Sequence, residues 1–245
     1  MPTGEPVTSE SHGEHVTIVT IDRQERRNAV DRDALDALLA AFTAAATDGR
    51  TRVLVLTGAG GHFCSGADLT TLEDAAFAEL VRRTLDALAE PSLVTIAAVD
   101  GAALGAGTQL AVACDLRVAT ATARFGIPAG KLGVMLDART IQRVASLAGG
   151  GPARAMLLAA EVVDGASAHR LGLVQRLGDR DDALAWATEI ALLAPLTLAG
   201  HKTALEQPAD DARIEAAYAR AWGSADLVEG LAAFREKRPP RFDGR

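Results

Sequence analysis

The sequence predicts an α/β fold with a helical C-terminal region, and three observations support that prediction. Through about residue 148, short β-branched runs alternate with segments of helical periodicity. A glycine-rich run, GGGP at 149–152, is the candidate domain boundary, and helix signals dominate beyond it. The first dozen residues, MPTGEPVTSESH, are mostly polar and predict a flexible tail over 1–13.

The predicted strands are short and rich in β-branched residues. Residues 15–22 read HVTIVTID, an alternating run that is typical of a strand. Apolar runs predict buried strands at 52–57 and 93–99, and LRVAT predicts another at 116–120. A short strand is expected at 173–176, among the later helices. Strands that alternate with helices in this way indicate a layered core.

The helices are predicted from apolar spacing and from capping residues. Asp31 can cap a helix whose apolar residues, from Leu35 to Phe42, recur at i, i+3, i+4 and i+7. Asp137 precedes a helix that carries Ile141, among other apolar residues. The remaining predicted helices span 70–88, 108–113, 153–160, 166–171, 182–193, 196–205 and 211–234.

Composition excludes several classes of protein. The 245 residues carry 25 Lys and Arg against 32 Asp and Glu, a formal charge of −7. This balance argues against a nucleic-acid binder, because no extended positive field can form. Hydrophobic residues make up 49% of the chain, which excludes a disordered chain and a disulfide-stapled scaffold.

Cysteine, histidine and hydropathy patterns predict a cytoplasmic protein without a metal. Cys64 and Cys114 lie too far apart for metal-ligand spacing, and the five histidines are scattered, so we expect two buried thiols in a reducing compartment. Residues 1–14 contain no apolar block, so no signal peptide is expected. The most apolar stretch, 93–116, is interrupted by Asp100, Gln109 and Asp115, so no membrane insertion is expected either.

Two glycine-flanked turns between strand and helix are the candidate ligand-binding loops: HFCSGADL at 62–69 and DGAALGAG at 100–107. Neither matches a P-loop or the dinucleotide fingerprint. Small side chains such as Ala67 and Ala106 let a ligand reach the backbone amides, and a helix N-terminus adds positive potential. Two convergent N–H donors would form an oxyanion hole for a carbonyl that becomes enolate-like. On composition alone, tight packing turns remain the alternative.

Five segments, in this order and spacing, resemble the enoyl-CoA hydratase/isomerase (crotonase) superfamily. They are ERRNAV, RVLVLTGAGGHFCSGADL, GAALGAGTQLAVACDLRVAT, ARFGIPAGKLGV and AEVVDGASAHRLGLV. The resemblance implies a crotonase-like spiral of ββα units over 14–190 and a helical trimerisation region over 191–245, assembled as a homotrimer or a dimer of trimers. It also implies an acyl-CoA ligand whose thioester carbonyl accepts from the N–H groups of Ala67 and Ala106. No separate cofactor is implied, because coenzyme A is part of the ligand.

The resemblance further implies a set of residues that bind coenzyme A. The set is Arg26, Arg27, Ala29, Ser65, Ala67, Asp68, Leu69, Phe234 and Lys237. The first three match the segment that lines the nucleotide, and the next four match the stretch along adenine and pantetheine. The last two match a pair that a neighbouring subunit contributes to the nucleotide phosphate. Local cations fit this ligand, since an acidic protein needs them to bind a polyanion.

The chain departs from the family at the two glutamates that its hydratases use. One family glutamate lies four residues after the first glycine of the Gly-x-Gly turn, where this chain has Gln109. The other follows the proline of FG-x-P-E, where this chain has Ala129. Hydration needs both acids, because together they position a water and protonate the α-carbon, and a neutral amide cannot accept that proton. We therefore expect little or no hydratase activity, and isomerases that rely on the second glutamate are disfavoured.

Asp137 is the acid that remains near the expected pocket, eight residues after Ala129. In this superfamily the position carries an aspartate in dienoyl-CoA isomerases, as a proton carrier, and in 4-chlorobenzoyl-CoA dehalogenase, as the nucleophile. Dehalogenation is disfavoured because Ala129 replaces the ring-polarising tryptophan, and a dienoyl isomerase would want acids at 109 and 129. Asp137 is also a candidate helix N-cap, a role that is compatible with facing the pocket.

The C-terminal segments ARAMLLAAE, LAWATEIALLAP and AWGSADLVEG resemble actinobacterial, mycobacterial-type homologues that also lack the glutamate pair. Some of these homologues are thought to bind or shuttle long-chain acyl-CoA without hydrating it. Three hypotheses stay open: a non-hydrating acyl-CoA binder, an acyl-CoA enzyme that uses Asp137, and a weak hydratase in which Gln109 orients water.

Overall fold

The computed structural model describes residues 4–71, 75–90, 92–206 and 210–245. The strands in these ranges are β1 (Val7–His12), β2 (Val16–Ile21), β3 (Val53–Gly58), β4 (Val94–Val99), β5 (Ala102–Leu104), β6 (Leu116–Ala119), β7 (Arg124–Gly126), β8 (Val162–Asp164) and β9 (Arg176–Leu177). The helices are α1 (Arg32–Thr47), α2 (Ala75–Leu88), α3 (Ala106–Ala113), α4 (Ala138–Ala148), α5 (Gly150–Leu158), α6 (Gly165–Arg170), α7 (Arg180–Ala191), α8 (Pro195–Glu206), α9 (Asp211–Trp222) and α10 (Ala225–Glu236).

The larger sheet has the strand order β1-β2-β3-β4-β6-β9. All of its pairs are parallel except β1 with β2. Successive residues of β3 face opposite sides of the sheet, as a period of two requires. Val53 and Val55 pack toward α7, whereas Leu54 and Leu56 join the main core with α1 and α2. Both faces of the sheet are therefore covered, which explains why β3 reads as an unbroken apolar run.

A smaller sheet, β5-β7-β8, lies beside the end of the larger one. Two isolated parallel bridges extend the backbone pairing of this sheet to earlier segments of the chain. Cys64 pairs with Ala103 of β5, and Ala67 pairs with Val30. The chain thus repeats one unit: a long strand of the first sheet, a short segment of the second pairing layer, and then a helix. The repeat confirms the predicted crotonase-like α/β spiral with a helical C-terminal region.

The prediction of a flexible tail over 1–13 is wrong for Val7–His12, because these residues form strand β1. This strand pairs antiparallel with β2, with Val7 opposite Ile21 and His12 opposite Val16. Val7 is buried, whereas the following residues are exposed. An edge strand that buries so little gives no alternating hydrophobic signal, so the sequence pattern could not distinguish it from a tail.

Two other expectations need correction. The single helix predicted over 211–234 is broken after Trp222, where Gly223 ends α9 and Ser224 caps α10 by accepting a hydrogen bond from the Leu227 amide at 3.2 Å. The glycine run at 149–152 is no domain boundary, because α5 begins inside it. Ala148 and Ala153, on either side, are buried in the same core.

Buried cations tie the later helices to the sheet. Lys202 on α8 donates to the carbonyl oxygens of Leu88 and Leu93 at 3.0 and 2.7 Å, and lies 2.9 Å from the Asp115 carboxylate. Arg117 on β6 is fully buried and donates to carbonyls that include those of Leu173 and Cys114. Because an unpaired buried charge is costly, these contacts fix where α8 and α3 sit.

Within the described ranges, no single helix combines the length and apolarity that a membrane span requires, although α7 and α8, bent by 110° at their junction, meet that length and composition test as a pair.

Candidate active site

The two glycine-flanked turns, 62–69 and 100–107, lie against each other in the structure. Their small residues allow the two backbones to come this close. Gly66 and Gly105 both have positive φ, 127° and 53°. A Cβ added to Gly105 would lie 3.8 Å from the Cα of Gly66, so the two backbones run side by side. A Cβ added to Gly107 would lie 2.0 Å from the carbonyl oxygen of Cys64, which is closer than any side chain tolerates. Glycine at these positions therefore lets the start of α3 pack against the first turn.

The Ala67 amide is directed away from the backbone that pairs with its turn. Val30 donates to the Gly66 carbonyl at 2.9 Å, and the Asp68 amide donates to the Val30 carbonyl at 2.8 Å. In extended backbone the N–H groups of successive residues alternate in direction. The Ala67 N–H consequently faces the opposite side, and it donates to no backbone acceptor in the described part of the chain.

The place of Ala106 at the start of α3 leaves its amide without a backbone acceptor in the described part of the chain. Gly105 is the N-cap and donates to the Gly126 carbonyl at 2.9 Å, so Ala106 is the first helical residue. The first N–H groups of a helix have no acceptor within the helix, and the helix dipole adds positive potential there. Both Ala67 and Ala106 line one cavity of about 510 Å³. Ala67 and Ala106 thus belong to the wall of a single, largely apolar chamber.

Residues of helices α2 and α3 and of the segment 128–137 line this open cavity, which we call the main cavity. Gln109 lies one turn into α3 and contributes to the wall. Its side chain makes no hydrogen bond within the described residues. Ala129 lies in a 3-10 turn, Pro128–Lys131, beside the cavity-lining Pro128. At both positions where the family resemblance implies a glutamate, this chain brings a neutral side chain to the cavity or next to it.

Asp137 serves as the N-cap of α4, as predicted, and also lines the main cavity. One carboxylate oxygen accepts from the Thr140 amide at 2.9 Å, and the other accepts from the Thr140 hydroxyl at 2.6 Å. A carboxylate oxygen has more than one lone pair, so these bonds leave acceptor capacity on both oxygens. The capping role and a position on the cavity wall are therefore combined in one residue.

Glu79 and Arg82, which sequence patterns did not single out, also line the main cavity. The Arg82 guanidinium donates to Glu79 at 2.9 Å, and this hydrogen bond holds the pKa of the Glu79 carboxyl below its usual value. Glu79 is consequently a weak base. The i, i+3 spacing of the pair predicts contact on one helix face, but periodicity alone does not show which cavity that face meets.

The ERRNA turn is held against the first glycine turn by Asn28, which is fully buried. Asn28 donates to the carbonyls of Ala59 and His62 at 2.8 and 2.6 Å and accepts from the Arg23 amide at 2.9 Å. Ser65 completes the contact by donating its amide to the Arg27 carbonyl at 3.1 Å. Sequence patterns showed the basic turn but not that a buried asparagine anchors it.

Most residues of the predicted coenzyme A set come together around this contact. Arg26 and Arg27 are exposed, and the Ser65 hydroxyl donates to the Arg26 carbonyl at 3.2 Å. The pKa of Asp68 is lowered, first by its hydrogen bonds from Thr70 and further by the nearby Arg26. The members gathered here are Arg26, Arg27, Ala29, Ser65, Ala67, Asp68 and Leu69.

Phe234 and Lys237 do not join that group within one chain. Phe234 is 83% exposed near the end of α10, and Lys237 caps the same helix. Neither residue lines the main cavity.

The two cysteines are buried, and burial raises the pKa of each thiol to about 12, so neither is a thiolate at neutral pH. Among the residues that the structure describes, no three His, Cys, Asp or Glu side chains group together as metal ligands.

Comparison with known proteins places the chain in a family. The enoyl-CoA hydratase/isomerase family model matches residues 11–245. The probable enoyl-CoA hydratase echA6 of Mycobacterium tuberculosis is 42% identical, and the match covers 96% of this chain and 98% of that protein. The mitochondrial methylglutaconyl-CoA hydratase of Mus musculus is 31% identical over 96% of this chain and 82% of that protein. An enoyl-CoA hydratase structure from Bacillus anthracis superposes with a TM-score of 0.91 at 28% identity, covering 98% and 100% of the two chains. The chain belongs to the enoyl-CoA hydratase/isomerase family.

Proposed function

We propose that this protein binds acyl-CoA thioesters with the thioester carbonyl held by the N–H groups of Ala67 and Ala106. The observation that carries the proposal is that Ala67 and Ala106, on turns that meet at Gly66 and Gly105, both line one apolar cavity, and their amides donate to no backbone acceptor in the described ranges. Fixed N–H donors stabilise an oxygen that gains negative charge. The relatives named as hydratases of CoA thioesters support this ligand class.

The coenzyme A moiety would lie along the ERRNA turn. Arg26 and Arg27 are exposed there in an otherwise acidic protein, and exposed guanidinium groups suit phosphate oxygens. Ser65 and Leu69 continue from this turn to the mouth of the main cavity, which would take the acyl group. The ligand would thus run from a cationic surface into an apolar chamber, in accord with its own polarity.

We further propose that hydration is slow or absent. Gln109 is neutral, Ala129 has no titratable group, and the Glu79 carboxylate is engaged by Arg82. A positioned acid or base contributes roughly 10²–10⁴-fold to a rate, so a site without the glutamate pair would lack most of that acceleration. The amides alone would still hold the thioester.

A second candidate function is an acyl-CoA enzyme, a weak hydratase or an isomerase, that uses Asp137 or Gln109. The observation in its favour is that both side chains lie on the wall of the main cavity, and that Asp137 retains acceptor capacity. In that reaction Asp137 would take or return a proton of the acyl group, and Gln109 would orient a water molecule.

We propose a homotrimer or a dimer of trimers as the assembly. The outer faces of α9 and α10 expose large apolar side chains, among them Trp222, Val228 and Phe234. Exposed apolar patches of this kind mark association surfaces. In such an assembly Phe234 and Lys237 would reach the nucleotide phosphate bound by a neighbouring subunit.

Calorimetric titration with saturated acyl-CoA, together with a crotonyl-CoA hydration assay, tests the proposal. We expect measurable binding and negligible hydration in the natural chain. The double variant Gln109→Glu, Ala129→Glu should gain hydration by one or more factors of ten while acyl-CoA affinity stays within a few-fold. Rapid hydration by the natural chain would contradict the non-hydrating hypothesis, and absence of acyl-CoA binding would contradict the proposed ligand.

A further inference from the structure

Three large apolar side chains are exposed along one edge of the main cavity. Leu132, Val134 and Met135 are 53%, 42% and 85% exposed, and all three line the cavity. Single exposed apolar residues are common on protein surfaces, but a run of them beside a cavity marks a binding surface. We call Leu132, Val134 and Met135 the apolar rim.

The backbone gives the apolar rim a defined position. The amides of Leu132 and Val134 both donate to the Ala129 carbonyl, at 3.0 and 3.1 Å. Gly133, between them, has a positive φ of 70°, a conformation that glycine adopts without strain. Asp137 follows the rim and caps α4. The rim is therefore held at both ends, although it lies outside the helices and strands.

Another part of the cavity wall is polar. Arg82, Gln109 and Asp137 line the main cavity and also a second, small cavity beside it, whereas no residue of the apolar rim lines the small cavity. The small cavity measures about 20 Å³, room for little more than one water molecule. Arg82 forms ion pairs with Glu79 and Asp86. The polar wall and the apolar rim are therefore separate parts of the main cavity.

This difference decides where an alkyl chain can run. Apolar carbon gains free energy where it covers apolar surface, and it loses free energy where it removes water from a charged group. A chain that turned toward Arg82 and Asp137 would desolvate both charges and would find a space of only water size behind them. A chain along the rim would instead cover apolar side chains that are otherwise in contact with water.

Helix α2 adds further apolar surface to this route. Ala75 and Ala78 are exposed, lie one helical turn apart and line the main cavity, as does the buried Phe77. Their small side chains take up little of the cavity. The apolar lining thus includes the buried Phe77 and the exposed Met135, as a path from the interior to the surface requires.

We infer that the acyl chain leaves the main cavity outward along the apolar rim, and that Met135 determines how affinity responds to chain length. The inference rests on the proposed acyl-CoA function and adds a specificity determinant to it. Short acyl groups would end inside the cavity. Longer chains would continue along the rim, with the terminal carbon at the protein surface.

The test titrates saturated acyl-CoA ligands of increasing length into the natural chain and into Met135→Gln. Glutamine has nearly the length of methionine, so this substitution changes polarity more than shape. Each methylene that is fully removed from water adds about fourfold in affinity. We expect the affinity loss to grow with chain length. The ratio of long-chain to short-chain affinity should be roughly fivefold to tenfold lower in Met135→Gln than in the natural chain.

Leu158→Gln is the matched control, because Leu158 is 82% exposed at the end of α5 and does not line the main cavity. It should keep the ratio of the natural chain. A loss of folded protein lowers the measured binding at every length alike, so it leaves the ratio unchanged. Sedimentation velocity shows whether the rim is instead a contact between copies of the chain. An altered assembly of Met135→Gln with an unaltered affinity ratio would overturn the inference.

A second measurement needs no variant. The natural chain is loaded with dodecanoyl-CoA that carries a small fluorophore on its last carbon, and acrylamide is added as a water-soluble quencher. An outward chain leaves the fluorophore nearly as open to acrylamide as it is in the unbound ligand. Protection of the bound fluorophore from acrylamide would place the chain end inside the protein and overturn the inference. If no acyl-CoA of any length bound, the proposed function itself would be contradicted, and the short-chain titrations separate these two failures.

Discussion

Gly66 and Gly105 lie back to back: a Cβ on Gly105 would stand 3.8 Å from the Cα of Gly66. This approach joins two turns that are 39 residues apart in sequence and brings Ala67 and Ala106 to one cavity wall. Neither turn alone offers two donors to one oxygen. The candidate site is therefore a product of the spiral, which returns the chain to the same edge after each strand.

The conformation of Gly105 predicts the effect of a methyl group there. Its φ of 53° and ψ of −115° are open to glycine but strained for other residues, although the space itself is sufficient. Gly105→Ala should lower the free energy of unfolding by roughly 1–3 kcal/mol and weaken acyl-CoA binding. Chemical denaturation measures the first effect. Gly151→Ala is the control, since Gly151 is helical with nothing near its Cβ position; equal stability of the two variants would contradict the strain.

Substitutions at Asp137 separate its capping role from its proposed catalytic role. Asparagine caps a helix about as well as aspartate, so Asp137→Asn should leave the melting temperature nearly unchanged, whereas Asp137→Ala should lose about 1 kcal/mol. If Asp137 carries a proton in a reaction on acyl-CoA, Asp137→Asn should abolish turnover and spare binding. Thermal unfolding and product analysis provide both readouts. A turnover that Asp137→Asn leaves intact would remove this residue from any mechanism.

Lys202 should be among the most important polar residues for stability. It is buried against the Asp115 carboxylate and two carbonyls, and removing one member of a buried pair leaves an uncompensated charge. Lys202→Ala should lower the free energy of unfolding by about 3 kcal/mol. Arg180→Gln, which breaks an exposed ion pair with Glu10, should cost less than about 0.5 kcal/mol. Similar losses in the two variants would show that the buried contact contributes little.

Glu206 should make stability depend on acid pH. Burial raises the pKa of this carboxyl, but Arg143 and Arg139 outweigh burial, and the pKa lies below its ordinary value of 4.5. The unfolded chain therefore takes up a proton at higher pH than the folded chain. The contribution of Glu206 is present above pH 4.5 and disappears as pH falls through its folded-state pKa.

The matched variant for this pH dependence is Glu206→Gln. It should be less stable than the natural chain near neutral pH, and the gap should close as acid is added, in denaturation curves measured from pH 7 down to about pH 3. A constant gap over that range would exclude Glu206 as the titrating group.

The features that the sequence could predict are those with a local cause. The apolar runs that became β3 and β4, and the caps at Asp31 and Asp137, follow from residue type and spacing alone. The three-residue strands of the smaller sheet escaped prediction because they are too short to show a period. The inward position of Glu79 depends on how α2 is rotated against its neighbours, and helical periodicity does not report that rotation.

The resemblance to a family contributed what periodicity could not. It directed attention to Ala67, Ala106, Gln109 and Asp137, and the structure places all four on the main cavity. The link from Arg82 through Asp86 to Arg139 remained unnoticed because α2 and α4, which are distant in sequence, must pack before Asp86 and Arg139 meet.

The most direct test of the two-amide site is to delete one amide without disturbing its helix. Ala106 is the first residue of α3, a position where proline is well tolerated, so Ala106→Pro removes the N–H and leaves the helix start in place. Ala106→Gly keeps the N–H and is the control. We predict that Ala106→Pro binds acyl-CoA roughly fivefold to tenfold more weakly than Ala106→Gly, while both bind free coenzyme A, which has no thioester carbonyl, equally well. Equal acyl-CoA affinities of two folded variants would contradict the account.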